Sequence, residues 1–210
     1  MNSQLGGIKQ STLLSSLLLL ILTSYPAAAQ EFEVTDKVTF ETSMGAFEIE
    51  LYGNAAPVTV DNFLKHVDGG YYDSAEFYRI VTEANDNGSP KIEVIQGGLN
   101  EGESPFPPIV HESTNLTGIL HTDGVLSMAR GAVGTASSEF FICIGDQPGL
   151  DFGQPRNEDG QGFAAFGKVI SGMSVVKQIN SISAEKSVGE GYTAGQVLIE
   201  PIEITKATRF

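Results

Sequence analysis

The stretch FYRIVTEANDNGSPKIEVIQGG, Phe77 to Gly98, holds two short apolar runs around a polar insertion. Both runs are rich in β-branched and aromatic residues, and Asn87-Gly88 with Pro90 supplies turn chemistry between them. They read as two strands, Glu76–Thr82 and Ile92–Gly97. Arg79 stands among apolar neighbours in the first. A permanently charged group with five donors is seldom placed in a strand without a partner or a task. The second ends on Gln96, a neutral side chain that both donates and accepts, followed by two glycines. An arginine and a glutamine from two strands, beside an apolar hollow, suit the handling of an uncharged amide.

Working outward, Val38–Thr42 and Ala46–Tyr52 alternate, with Phe47, Ile49 and Leu51 on one face and Glu48 and Glu50 on the other. With Ser43-Met44-Gly45 between them they predict a β-hairpin with one wet face. Val60, Phe63, Leu64 and Val67 then form a helical stripe that starts near Pro57 and can close at Gly69-Gly70. His66 lies beside the stripe as a satisfied or exposed helical histidine. Downstream, Gly124–Arg130 and Glu139–Ile144 are strand-like. The small residues GAVGTASS between them would let an extended peptide backbone come close. A long loop, Gly145–Gly162, precedes a strand at Phe163–Val169, a short helix around Ser174–Ile182 and a last strand, Gln196–Thr205, that changes phase at Pro201. Eight strands and two helices predict a mainly β fold, a closed antiparallel β-barrel capped by two α-helices.

Composition sets the setting. Met1–Ala29 has one basic residue, Lys9, a leucine-rich run from Leu13 to Leu22, and Ala27-Ala28-Ala29 before Gln30. The apolar run is shorter than the roughly 18–20 residues of a spanning helix, so this segment reads as a signal peptide. It is followed by a flexible segment, residues 30–37, and one domain, residues 38–210. Loss of the leader takes the formal net charge from −14 to −15. Such an acidic surface disfavours nucleic acid and anionic membranes. Cys143 is the only cysteine, so no intrachain disulfide forms, and its place in EFFICIG marks it as a buried thiol. No phosphate-binding glycine motif, nucleophile elbow or paired metal-ligand spacing occurs, so no metal and no cofactor is expected.

In order along the chain, TSMGAFEIELYGNAAPVTVDNFLKHVDGGYYDSAEFYRI, IQGG, GVLSMAR, SSEFFICIG, LDFG and FAAFGKVISGM resemble the cyclophilin family of peptidyl-prolyl cis-trans isomerases. The likeness spans roughly Val38 to Thr205. It implies an eight-stranded antiparallel barrel capped by two helices, in agreement with the independent tally. It also implies that Arg79 is the catalytic arginine and that Gln96, Ala129, Phe141 and Leu150 line the substrate groove. Val94, Arg130 and Phe163 stand at further groove positions where this chain departs from the usual family residues, as do Glu93, Glu139 and Gly149. Arg130 and Glu139 are suited to pair with each other.

The expected partners are proline-containing polypeptides met by a monomer in the periplasm, or outside the cell if secretion is complete. Neither a nucleic acid partner nor stable membrane insertion after leader cleavage is expected. Cyclosporin is expected to bind weakly, because Gly149 replaces a tryptophan found in some relatives. The alternative reading is a catalytically weak chaperone or scaffold module that holds proline-containing segments in the same groove.

Overall fold

The computed structural model describes Met1 and residues 31–100, 104–182 and 187–210. The leader expected at residues 1–29 thus lies outside the described residues, Met1 apart. The alternating N-terminal segment forms β1 (Asp36–Thr42) and β2 (Gly45–Leu51), antiparallel with Phe40 opposite Phe47. Their turn needs Gly45, whose φ of 128° is unfavourable for any residue with a Cβ. The segment expected to be flexible is tied down from Phe32. That ring lies 5.1 Å from the ring of Tyr52, and the Thr35 amide donates to Leu51 O at 2.9 Å.

The remaining strands are β3 (Ala75–Val81), β4 (Val94–Gly98), β5 (Val125–Met128), β6 (Phe140–Cys143), β7 (Ala164–Ser171), β8 (Ser187–Val188) and β9 (Val197–Arg209). Eight of them run in the order β1-β2-β7-β5-β6-β4-β3-β9, and β1 pairs with β9 to close the ring. Every pairing is antiparallel. The two-residue β8 adds to β9 outside that circuit. The closed eight-stranded barrel is the one expected. A single helical turn, α2 (Thr114–Thr117), joins the two anticipated helices, α1 (Pro57–Asp68) and α3 (Met173–Asn180).

Aromatic rings fill the interior. Phe40 stacks on Phe47 with centroids 5.3 Å apart, and Phe140 meets Phe63 edge-on at 5.4 Å. Phe63 belongs to the stripe of α1, so the helix is held by burial of its apolar face against the barrel. On the same helix His66 is fully buried, with Nδ1 2.8 Å from Asn62 O and Nε2 3.0 Å from Ser104 Oγ. A carbonyl only accepts, so Nδ1 carries the proton and Nε2 accepts from the serine. From α3, Val176 and Ile179 join the core, and Asn180 donates to Val81 O and Val94 O.

The insertion between β3 and β4 is part of the packed structure. Asp86 is buried and paired with Arg156 at 2.6 Å, and it accepts the Gly88 and Ile92 amides at 2.9 Å each. Burial pushes its carboxyl upward, but Arg156 and the two amides more than reverse this, leaving it below the usual carboxylate range. Removing one member of such a pair strands a buried charge, at about 3–5 kcal/mol.

Burial of the neutral His66 ring holds its pKa below the ordinary 6.5. As pH falls through 6.5 the unfolded chain takes up a proton that the native ring refuses, so stability declines from there down to the native pKa. Denaturant titrations at about pH 7.5 and about pH 5.5 should show a smaller loss of stability for His66→Gln than for the parent. An equal loss in both would exclude the histidine as its source.

Candidate active site

The site begins with one unmatched residue. Opposite β4, β3 pairs Phe77 with Gly97 but Arg79 with Gln96, which leaves Tyr78 as the extra residue of a β-bulge. Phe77 and Ile80 therefore both enter the core, three positions apart, while Tyr78 and Arg79 both turn out of it toward Gln96. Gly97 permits this kink, since a Cβ there would stand 2.6 Å from Glu76 O and 2.7 Å from the Phe77 ring. The register of β9 against β3 slips at the same place, from Phe77–Ile202 to Arg79–Val197, which puts Pro201 in an irregular stretch of β9. The phase change expected at Pro201 has this origin.

Arg79 is held on both sides by neutral amides. Its Nη1 donates to Gln96 Oε1 at 2.8 Å, while Nε and Nη2 donate to the single Oε1 of Gln196 at 3.0 and 2.6 Å. The guanidinium also lies over the ring of Tyr192, 5.5 Å from its centroid. Among the described residues no carboxylate forms an ion pair with it. Burial lowers its pKa from the ordinary value, yet an arginine stays charged. Gln96 donates in turn to Tyr78 Oη at 2.7 Å, and Tyr78 to Glu139 at 2.5 Å. Burial raises the pKa of Glu139, and the tyrosine and glutamine stand between it and the arginine.

Beside this polar group lies an apolar cluster separate from the barrel core. Val81, Ile92, Val94, Phe141, Cys143 and Leu150 form it, with Ala129 and Phe163 packed against them. Alternation explains the division, since Phe140 and Ile142 of β6 face the barrel interior while Phe141 and Cys143 face the outer cluster. Phe141 and Phe163 meet edge-on, 5.3 Å between centroids. All eight residues singled out from the sequence (Arg79, Val94, Gln96, Ala129, Arg130, Phe141, Leu150 and Phe163) line one cavity of about 750 Å³. The thiol of Cys143 is fully buried and its pKa is pushed up, which suits an inert core residue.

Arg130 and Glu139 do not pair with each other. Arg130 forks onto Asp159 at 2.8 and 2.9 Å, donates to Gly162 O, and lies 5.3 Å from the Phe163 ring centroid. That hydrogen bond pulls the Asp159 carboxyl down to about 2. Glu139 is occupied by Tyr78 and the Asn100 amide. Next to Leu150, a Cβ on Gly149 would stand 2.4 Å from Cγ of Pro90, so the insertion occupies the space a larger residue at 149 would need.

Sequence reasoning passed over Gln196 and Tyr192, which sit more than a hundred residues from Arg79. It also passed over a Ser–His–Asp arrangement. His121 Nδ1 is 2.7 Å from Asp151 Oδ1, and Nε2 is 2.9 Å from Ser127 Oγ. Those distances are those of a hydrolase triad, but Ser127 is fully buried and the His121 ring is covered by Phe141, stacked at 6.0 Å. No carbonyl can reach the hydroxyl, and the triad serves as a polar support beneath Phe141 and Leu150.

Residues 37–209 match the family described as cyclophilin type peptidyl-prolyl cis-trans isomerase/CLD. The chain is 34% identical to peptidyl-prolyl cis-trans isomerase CYP18-2 of Arabidopsis thaliana over 151 residues, 72% of this chain and 84% of that one. It is 32% identical to peptidyl-prolyl cis-trans isomerase B of Escherichia coli, covering 80% of this chain and 99% of that one. Its fold is similar to a cyclophilin type isomerase of Cryptosporidium parvum, with a TM-score of 0.63 and 21% identity over 83% of this chain and 97% of that one. The structure of that Cryptosporidium protein in the presence of the dipeptide Ala-Pro gives a TM-score of 0.61 at 22% identity, covering 81% of this chain and 96% of the other. By that family match and by its closed barrel, the chain belongs to the cyclophilin family of peptidyl-prolyl cis-trans isomerases.

Proposed function

We propose that this isomerase accelerates rotation about X–Pro bonds while exported proteins fold, with Arg79 as its catalytic residue. The observation that carries this reading is the charge balance at Arg79, which is partly desolvated, fixed by neutral amides and adjacent to the apolar wall of the cavity. Three of its five N–H groups are used by the two glutamines, so at most two remain for a ligand.

Rotating an X–Pro amide costs roughly 18–20 kcal/mol because conjugation stiffens the C–N bond. No bond breaks, so no nucleophile, metal or general base is required. The twisted amide need only be bound better than either planar form. As the bond twists, the prolyl nitrogen becomes pyramidal and gains a lone pair. A guanidinium aimed at that nitrogen meets a better acceptor in the transition state than in the ground state. In this reading Phe141, Leu150, Val94 and Phe163 hold the proline ring, while Gln96 and the Ala129–Arg130 backbone hold the preceding peptide. The dipeptide used with the Cryptosporidium relative is of the same chemical kind.

Cis–trans exchange of a short Ala-Pro peptide, followed by NMR, tests the role of Arg79. Arg79→Ala should lower turnover by about 10²–10³-fold with peptide affinity little changed. Turnover near the parent value would remove Arg79 from the mechanism, and a parent that binds the peptide without accelerating its exchange would leave the groove as a binding module.

The leader, the acidic mature chain and its single buried cysteine support a monomer working in the periplasm, or outside the cell if secreted. N-terminal sequencing of the exported protein should begin at Gln30, and an intact Met1 in that compartment would overturn the cleavage. Contact between Pro90 and the Gly149 position supports weak cyclosporin binding. Calorimetry should give a Kd above about 1 µM, and a tighter value would contradict it.

A further inference from the structure

Gln196 is fully buried, yet its side chain touches the one group on which the proposed mechanism turns. Its amide orientation is fixed by elimination. Asn85 O can only accept, and it takes the Gln196 Nε2 proton at 2.9 Å; the guanidinium can only donate, so Oε1 must face Arg79. Asn85 is itself anchored. Its Nδ2 donates to Ile80 O and Gly195 O at 3.1 Å each, and its Oδ1 accepts the Thr82 amide at 2.7 Å. The start of the insertion is thereby stitched to β3 and to the segment that leads into β9, with Gln196 between them.

A carboxylate would hold the same fork more strongly, since it adds the attraction of opposite charges and can take the guanidinium on two oxygens. It would also cancel the charge it held. We propose that Gln196 is a positioning residue for Arg79 and that its neutrality is the property that matters. It fixes Nε and Nη2 on one carbonyl oxygen while leaving a full positive charge to face the twisted amide. Gln96 performs the matching task at Nη1, so the cation is oriented from β4 and from the turn before β9 without being neutralised from either. The inference rests on the reading of Arg79 as catalytic and adds a requirement on its surroundings.

The test compares Gln196→Glu and Gln196→Met with the parent and with Arg79→Ala, using bound-state exchange rates and Kd for the Ala-Pro peptide. Gln196→Glu keeps the acceptor toward Arg79, adds a negative charge and gives up the Nε2 donor to Asn85 O. Where it folds it should keep a Kd within about twofold, while the exchange rate falls at least about tenfold. A purely structural glutamine would be replaced by glutamate without loss of rate, so a parent-like rate in a folded Gln196→Glu overturns the proposal. If Gln196→Glu does not fold, Gln196→Met decides. It is neutral but lacks the acceptor, so the rate should again fall at least about tenfold at a Kd within about twofold, and a parent-like rate overturns the positioning role. The two readings fail separately. A parent-like rate in Arg79→Ala removes the arginine itself, whereas a low rate there with parent-like Gln196 variants removes only the role of the glutamine.

Discussion

The extra residue at Tyr78 governs the geometry of this protein's site. In a closed barrel every side chain is assigned to the inside or the outside by its place in the alternation. A strand without the bulge could not bury both Phe77 and Ile80 and still present Tyr78 and Arg79 on the opposite side. The single mismatch satisfies both demands. It keeps an aromatic and an aliphatic side chain in the core and turns two consecutive polar residues toward Gln96. Gly97 opposite it, and the irregular run of β9 behind it, are the local adjustments that let the neighbouring strands follow.

The electrostatics follow from that placement. A guanidinium taken partly out of water most often recovers its loss from a carboxylate, and this one has two glutamine oxygens instead. Glu139 is kept three hydrogen bonds away, reached only through Gln96 and Tyr78. The two other arginines of the cavity are paired, Arg130 with Asp159 and Arg156 with Asp86. Positive charge is therefore unbalanced at one point of the cavity, next to the apolar cluster, which is the arrangement a neutral amide with a developing lone pair would need.

Much of this was legible in the chain because much of it is local. The alternation of Phe47, Ile49 and Leu51, the stripe Val60–Phe63–Leu64–Val67 and the turn residues around Gly88 each act within a few positions, and each element formed where its pattern lay. The outward arginine and glutamine were also readable, as polar residues set in apolar strands. What escaped depends on partners far apart in sequence. Gln196 meets Arg79 across 117 positions, and Arg156 meets Asp86 across 70. No short-range signal marks either pair. The expected Arg130–Glu139 pairing went astray for the same reason, since opposite charge nearby in sequence said nothing of Asp159 and Tyr78 waiting closer in space. The bulge did leave a trace, the spacing of three between Phe77 and Ile80 where alternation asks for two.

The buried serine, histidine and aspartate carry a different lesson. Their atoms lie at the separations by which hydrolases are recognised, and their order of contact is that of a working triad. What decides their chemistry is the roof. With Phe141 laid over the histidine and the serine hydroxyl sealed in the barrel wall, the same three side chains become a strut. Nucleophilicity is in this sense a property of access, and a comparison of interatomic distances alone would assign peptide cleavage to an enzyme whose reaction breaks no bond.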